Sequence, residues 1–465
     1  MKINKLMALL AILLVPSLVS AQNWVNDDTF TTQGTDTFAE VHGVAIDGEG
    51  KIWVQPFGAT ESIITNRDLG DDGIPDTLST RAIYVYNADG TAASFSPLIV
   101  LEWADGTTPN DTLGRFWDPS LSDGAGGYDT RSGRGIETDH EGNIIISQWN
   151  TLFKVNHVTG QAMAKVAPDI GSLTEASVDA AGNIYVGGVV AADTPIRKYD
   201  SNLENPEDLV TLTGSFSRDL QVSADGNTIW WAGYTLGSVL KYTRPDEFSG
   251  FGAVPDTVLK GIKSEVFDIH PITGYVWVGS GSLNDVPGEP YQPQTFYAFD
   301  VRDLGTDNET PLDSINWAPG ADIAAGFDNA RPRGLDFSAD GRTAYVSAFS
   351  AVDTDVDVQK FTTEQVFVAN EEEVSGVPDG FKLNQNYPNP FNPTTNIEFS
   401  INESGAVSLK VYDLTGREVA SLVDSRLNAG DHNVTFDASN LSSGVYVYIL
   451  QSNGIRLANK MTLIK

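Results

Sequence analysis

One three-part phrase recurs six times between residues 44 and 362, and no other feature narrows the fold as much. Its first part is an alternating run that ends in a short polar turn with glycine: 44–47 before Gly50, 136–139 before Gly142, 176–179 before Gly182, 220–223 before Gly226, 267–270 before Gly274 and 335–338 before Gly341. A tight hairpin needs positive φ there, which glycine adopts without steric cost. The second part is a β-branched or aromatic run suited to a pleated, half-buried surface, at 52–54, 144–146, 184–186, 229–231, 276–278 and 344–346. The third recurs at 83–87, 152–156, 196–200, 239–243, 296–300 and 358–362, four times with Lys ahead of an aromatic or valine, as in Lys154-Val155 and Lys360-Phe361.

Each unit reads as a small antiparallel meander that cannot bury both faces alone, whereas six arranged radially can. The second parts at 144, 184, 229 and 276 are 40, 45 and 47 residues apart, the range of four-stranded propeller blades. A two-sheet sandwich would also show short strands, but it does not predict one phrase repeated six times. The expected architecture is all-β: a six-bladed β-propeller over 22–368, followed by a smaller sandwich. The wider gaps, 52 to 144 and 276 to 344, hold either long loops or a degenerate seventh blade. The Gly, Pro, Asp and Asn of 70–75, 109–133 and 287–293 favour loops. The stretch from Arg331 through Gly334, Asp336 and Asp340 to Gly341, followed by Ala344-Tyr345-Val346, resembles a blade of the gluconolactonase-like and YVTN/NHL-type propellers. That resemblance extends over about residues 40 to 368 and implies the fold, not an activity.

Lys2 and Lys5, the apolar run 6–15 and Val19-Ser20-Ala21 read as a signal peptide over 1–21, cleaved after Ala21. Pro16 interrupts a run too short to span a bilayer, and no later stretch reaches eighteen apolar residues, so no transmembrane segment is expected. Residues 369–380, with Glu371-Glu372-Glu373, read as an acidic linker. Alternating runs at 396–401, 407–414, 418–423, 433–437, 444–450 and 460–464 then predict an immunoglobulin-like β-sandwich over 381–465. This region opens on Asn386-Tyr387-Pro388-Asn389-Pro390-Phe391, continues through Gly416, Gly444-Val445-Tyr446 and Lys460, and ends at Lys465. It is similar to the type A C-terminal sorting domain of the type IX secretion system. The resemblance makes Tyr387, Pro388, Asn389, Pro390, Phe391, Gly416, Gly444, Tyr446, Lys460 and Lys465 the sorting signal and implies the type IX machinery as partner. It also implies a secreted or surface-attached mature protein, usually with the domain removed. The apolar final run Met461-Thr462-Leu463-Ile464 suggests recognition by strand addition.

With 62 acidic and 29 basic side chains, the net charge of −33 repels phosphate backbones and excludes nucleic acid as a natural partner. The absence of cysteine excludes disulfides, thiolate nucleophiles and Cys-zinc sites. The sharpest metal candidate is the loop 68–76, where Asp68, Asp72 and Asp76 stand as calcium ligands, in a pattern that resembles thrombospondin type 3 and dockerin loops. Gly70 stands where those loops carry a further Asp or Asn, and the other reading is a solvated acidic turn. No other cofactor is expected.

Aligning the six units places His42, Arg134, Thr174, Arg218, Glu265 and Arg333 at the opening of the first strands. In a propeller these positions ring the channel mouth, so three arginines, a histidine and one carboxylate form a cationic ring suited to a carboxylate or sulfate. The other reading has the arginines bracing the blades by pairing with Glu137, Asp219, Asp268 or Asp336. The lactonase-type resemblance implies Asn, a ligand to a catalytic ion, at the place of Arg333; an arginine there argues against that activity. The five histidines show no metal-type spacing, and there is no Gly-x-Ser-x-Gly elbow. Trp103, Trp117, Trp149 and Trp231 read either as core or as platforms for sugar rings. The chain reads as a secreted or surface binding protein for a glycan or protein ligand; the alternative is a calcium-dependent hydrolase or lyase acting on acidic polysaccharide.

Overall fold

Each recurring phrase folds into an antiparallel hairpin whose turn is held by two devices. The computed structural model describes residues 24–27, 40–65, 68, 73–118, 127–285, 291–306, 309–317, 329–349, 358–364, 382–401, 404–412, 418–442, 444–452 and 455–465. All six turn glycines have positive φ, from +67° at Gly274 to +84° at Gly142 and Gly182. In the first three turns an aspartate Oδ1 accepts two backbone amides: Asp47 from Glu49 and Lys51, Asp139 from Glu141 and Asn143, Asp179 from Ala181 and Asn183. The other carboxylate oxygen reaches into the sheet, to the Trp53 indole N–H at 2.8 Å, the Lys154 ammonium at 2.7 Å and the Tyr185 hydroxyl at 2.8 Å. In the remaining turns the Ser223 and Ser338 hydroxyls and His270 Nδ1 accept the amides.

Six sheets of the N-terminal unit grow from these hairpins. The second to fifth each carry four antiparallel strands in chain order. The second sheet runs Gly133–Thr138, Ile144–Gln148, Thr151–Val155, Ala162–Val166, and the third Ser177–Val178, Ile184–Val186, Val190–Tyr199, Glu207–Phe216. The fourth runs Leu220–Val222, Thr228–Gly233, Ser238–Thr243, Asp256–Val258, and the fifth Phe267–Ile269, Val276–Gly279, Thr295–Phe299, Asp313–Asn316. The first sheet has three strands, Val41–Ile46, Ile52–Pro56 and Tyr84–Tyr86, with the hairpin Glu61–Ile64 and Thr77–Thr80 between the second and third. The sixth has Arg331–Phe337, Thr343–Phe349 and Val358–Thr362, and its outermost strand is Val25–Asn26, from the far end of the chain. The first strand of each sheet touches that of the next, and the sixth touches the first.

The interval 109–133, expected as a loop, holds paired strands instead: Asp111–Thr112 pairs with Val100–Leu101, and Arg115–Asp118 with Gly127–Thr130. Close approach of first strands explains Gly135. Its φ is +142°, and an added Cβ would lie 2.4 Å from Glu175 Cβ, so no side chain fits.

The core lies between neighbouring sheets and is dominated by Trp53, Trp231 and Trp277, all buried. Trp24 fastens the N-terminal strand: its indole N–H donates to Asp313 at 3.0 Å, and its ring meets Trp277 edge-on at 5.9 Å. The chain divides into two compact units, 1–367 and 368–465. The second has one sheet of Lys382–Leu383, Thr394–Ile401 and Gly430–Asp437, and another ordered Glu418–Leu427, Gly405–Tyr412, Gly444–Ser452, Ile455–Leu463. Both sheets feed one core that includes Ile397, Phe436, Leu409 and Tyr448. The protein is all-β, with no α-helix among the described residues.

All nine tryptophans lie in the N-terminal unit, so their fluorescence reports on it alone. Trp24→Ala opens a cavity between Trp277 and Phe337 and removes the indole donor from Asp313 Oδ2, leaving the Ser314 amide on Oδ1. It is expected to cost about 3–5 kcal/mol in urea unfolding followed by tryptophan fluorescence; a change within experimental error would show that the terminal strand holds nothing together.

Candidate functional site

The site begins with three bulges. The ladder of the first sheet slips between Val41 and Gly43, that of the second between Gly133 and Gly135, and that of the sixth between Pro332 and Gly334. The residues in the slips are His42, Arg134 and Arg333. A bulge re-aims its extra side chain out of the regular alternation, and here it delivers all three to one cluster. Arg218 and Glu265 reach the cluster from just ahead of their strands. Arg333 pairs with Glu265 and lies 3.3 Å from His42 Nε2, while Arg218 Nε is 3.9 Å from the other oxygen of Glu265. Thr174 does not take part: its hydroxyl donates to the Glu175 carbonyl at 2.7 Å and accepts the Gly187 amide. Five of the six aligned positions therefore come together.

Each guanidinium lies over an aromatic ring. Arg134 is 4.5 Å from the Trp149 ring centre and 5.5 Å from that of Phe57; Arg218 lies 4.6 Å from Phe216, and Arg333 4.8 Å from Phe349. The His42 ring packs between Phe57 and Phe349. Such contacts stabilise a cation by about 0.5–2 kcal/mol each but leave its N–H groups unmet. Arg134 is 6% exposed, and among the described residues its Nε and Nη1 have no hydrogen-bond partner; Arg333 Nε has none there either.

Among the described residues Arg218 and Arg333 thus share the Glu265 carboxylate, Glu40 also acts on Arg333, and Arg134 has no ion pair. Burial first, then the charges of Arg218 and Arg333, pulls the Arg134 guanidinium down to about 9. Burial and Arg333 pull Arg218 down to about 10. A guanidinium keeps its proton under ordinary conditions, so the shifts express a shortage of anions around it. Burial, and then the three arginines, hold His42 well below the usual imidazole range, so it is neutral at pH 7.

A second group of acids lies along or just ahead of the same first strands: Glu175 and Asp219, which are buried, and Glu137, Asp268 and Asp336, which are half-buried. They accept backbone amides, while the ion pairs of Arg218 and Arg333 go to Glu265. Asp336 takes Ile46 N–H at 2.5 Å, Glu175 takes Ile136 N–H at 3.1 Å and Asp219 takes Phe267 N–H at 2.6 Å, each from a neighbouring first strand. Burial raises every one of the five; Asp336 is pushed up to about 7 and Asp219 to about 8. Mutual repulsion adds to this, as between Asp268 and both Asp336 and Glu137.

Of the candidate calcium ligands, Asp72 lies outside the described residues. Asp68 accepts the Gly73 amide at 2.6 Å, and the Asp76 carbonyl accepts the Thr65 amide, so both close the hairpin tip. Trp231 is core and Trp103 is half-buried, its indole N–H on Asp111 at 3.3 Å; the Trp117 side chain is outside the described residues. Trp149 is 38% exposed. The aromatic partners of the arginines escaped the alignment, although Trp149 and Phe349 stand at or next to the end of a second strand. The signal for the bulges was present as His42-Gly43, Arg134-Gly135 and Arg333-Gly334.

In the C-terminal unit the Tyr387–Phe391 segment is knitted to its surroundings. Asn386 is buried, its side-chain amide donating to Pro388 O and Thr395 Oγ1, and its backbone amide to the Tyr448 hydroxyl. Phe391 enters the core and pairs with Leu463: its amide donates to Thr462 O at 2.9 Å, and the Ile464 amide to its carbonyl. Asn389 Oδ1 accepts the Thr462 amide. The edge of the final strand expected to be open over Met461–Ile464 is therefore already occupied, because the Asn-Pro-Phe segment returns alongside it. Tyr446 donates to Ser442 O, Lys465 to Ser439 O, Lys460 O accepts from Gln385, Gly444 pairs with Leu463, and Tyr387 is exposed. Gly416 lies outside the described residues, as do the signal segment 1–21 and the linker 369–380.

Residues 385–465 match the secretion system C-terminal sorting domain family. The protein is accordingly exported by type IX secretion to the cell surface or extracellular space, through contact of this domain with that machinery. Among the described residues no helix is long and apolar enough to cross a membrane. No curated protein matches the chain. Among solved structures it is similar to the extracellular domain of what is described as a one-component system from B. thetaiotaomicron, with 14% identity and a TM-score of 0.36. That match covers 96% of this chain and 58% of the other, so the chain spans less than two thirds of its length. A TM-score of this size carries no argument about fold or ligand.

Two outcomes follow from this geometry. Raised carboxyl values mean that the folded chain binds protons the unfolded chain has released, so stability is complete below about pH 4 for these groups and is lost as pH rises through about 7 to 8. The thermal midpoint of the N-terminal unit is expected to fall between pH 5 and pH 8.5, and Asp268→Asn, which keeps an acceptor for Ile269 N–H, should flatten the fall. An unchanged slope in differential scanning calorimetry would contradict this. Separately, Phe391→Ala empties the core beside Leu463 and is expected to cost the sorting domain about 3–5 kcal/mol. Secretion by the native host should drop, with the variant accumulating in the cell fraction on immunoblots; undiminished export would refute the link between packing and sorting.

Proposed function

We propose that residues 22–368 form a six-bladed β-propeller acting outside the cell as a binding protein, and that its arginine cluster is the ligand site for a carboxylate or sulfate group. Six sheets built on one plan, with first strands touching in turn and the sixth completed by the N-terminal strand, support the propeller. Cleavage of the signal segment after Ala21 would leave Gln22 two residues ahead of Trp24, next to the strand that completes the sixth sheet. Residues 369–380 then link the propeller to the immunoglobulin-like sorting sandwich.

One observation carries the ligand assignment: Arg134 is buried among aromatic rings with Nε and Nη1 unmet. A buried charged donor without a partner costs on the order of 1–3 kcal/mol or more, and an anion supplies an acceptor that the flanking rings do not. The excess of guanidinium over carboxylate charge in the cluster sets the sign of the ligand. The overall charge of −33 opposes any polyanion that would cover the surface, which favours a single acidic group entering the cluster.

Isothermal titration of the full chain with sulfate and with acetate is expected to show saturable binding that weakens with added chloride. Arg134→Gln should lower the affinity about tenfold or more. Absence of heat in the wild-type protein, or equal affinity in the variant, would end the assignment.

A further inference from the structure

Trp149 adds a second requirement to the ligand. Its φ is +52°, a conformation that a bulky L residue adopts rarely and at a cost. Two backbone hydrogen bonds impose it: the Trp149 amide donates to Ser132 O at 3.0 Å, and the Leu173 amide donates to Trp149 O at 2.6 Å. The residue is 38% exposed, while Trp230, Trp231 and Trp277, within the second strands of the fourth and fifth sheets, are core. Arg134 lies 4.5 Å from its ring centre, so the exposed indole adjoins the unmet guanidinium.

Gln148 supplies an independent observation. It pairs with Gly133, next to Arg134, is fully buried, and among the described residues neither its amide nitrogen nor its amide oxygen has a partner. A buried amide left unmet at both ends is unfavourable by several kcal/mol on transfer scales, and a carboxamide offers a donor and an acceptor side by side. Neighbouring hydroxyl groups on one ring present the complementary pair. An indole face packs against the C–H face of such a ring, burying apolar area while the hydroxyl edges stay free to hydrogen-bond.

We propose that the cluster recognises a sugar ring that itself bears a carboxylate, a hexuronate, with Trp149 as the stacking platform, Gln148 reading ring hydroxyls and Arg134 taking the acid. This rests on the anion site proposed above and goes further by naming the ring that carries the anion. A free inorganic anion meets only Arg134 and its companions; a neutral sugar meets only Trp149 and Gln148.

The test titrates the full chain with methyl β-D-glucuronide, methyl β-D-glucoside and sulfate. The glucuronide is expected to bind at least tenfold more tightly than either of the others. Trp149→Asn removes the ring while keeping a residue that tolerates positive φ, and should weaken glucuronide binding at least tenfold and sulfate binding by a clearly smaller factor, since the lost contact with Arg134 touches both ligands. Trp149→Phe, which keeps an aromatic face, should retain most of the glucuronide affinity and guards against a folding artefact. Glucuronide binding no tighter than sulfate overturns the hexuronate assignment and leaves the anion site standing. Equal losses for glucuronide and sulfate in Trp149→Asn also overturn it, since Trp149 then only props Arg134. A wild-type protein that binds none of the three overturns both readings.

Discussion

The N-terminal unit depends on how the unpaired edge of each first strand is satisfied. Such a strand has a ladder partner on one side only, and its other edge faces a neighbouring first strand without a ladder between them. Backbone amides on that edge would be buried and unmet. Side chains supply the acceptors instead: Asp336 for Ile46, Glu175 for Ile136, Ser177 for Val222, Asp219 for Phe267, and Gln55 for Gly135. Polar residues at these positions are a demand of the backbone before they are anything else.

That demand sets the electrostatics of the cluster. Acids engaged by backbone amides and pushed up by burial are poor counter-ions at neutral pH, so the arginines a short way along the same strands receive little compensation from them. Among the described residues Glu265 alone is drawn into ion pairs with Arg218 and Arg333. The aromatic rings that flank the guanidinium groups lower the cost of burying charge without offering acceptors. A cationic cluster inside a strongly acidic protein is the outcome, and the anion site proposed above rests on it.

The C-terminal unit solves a different problem with similar means. Its first residues must be held against its last strand, and Asn386 does so as a hub, bonding Pro388, Thr395 and Tyr448. Phe391 inserts between the sheets and, with Asn389, caps the strand that ends the chain. The Asn-Tyr-Pro-Asn-Pro-Phe signature therefore has a packing role of its own, while Tyr387 and Lys460 remain on the surface.

The sequence by itself determined the local grammar: six turns with glycine at positive φ, the aspartate or its substitute that caps each, and the first three strands of each sheet. Those features depend on neighbours within a few residues, and periodicity reports them. It also carried the sorting signature and the aligned positions of His42, Arg134, Arg218, Glu265 and Arg333. Tertiary structure decided the rest. The outermost strands went unnoticed because they are half-exposed, as in Ala162–Val166, or very short, as in Val25–Asn26, and so leave little hydrophobic pattern. Thr174 dropped out of the cluster because a nearby carbonyl and amide claimed its hydroxyl. The final strand lost its free edge because a segment about seventy residues earlier folds back onto it. Which rings cover the arginines, and that Arg134 keeps unmet donors, depends on residues brought together from several sheets, and contacts across that span leave no mark in local spacing.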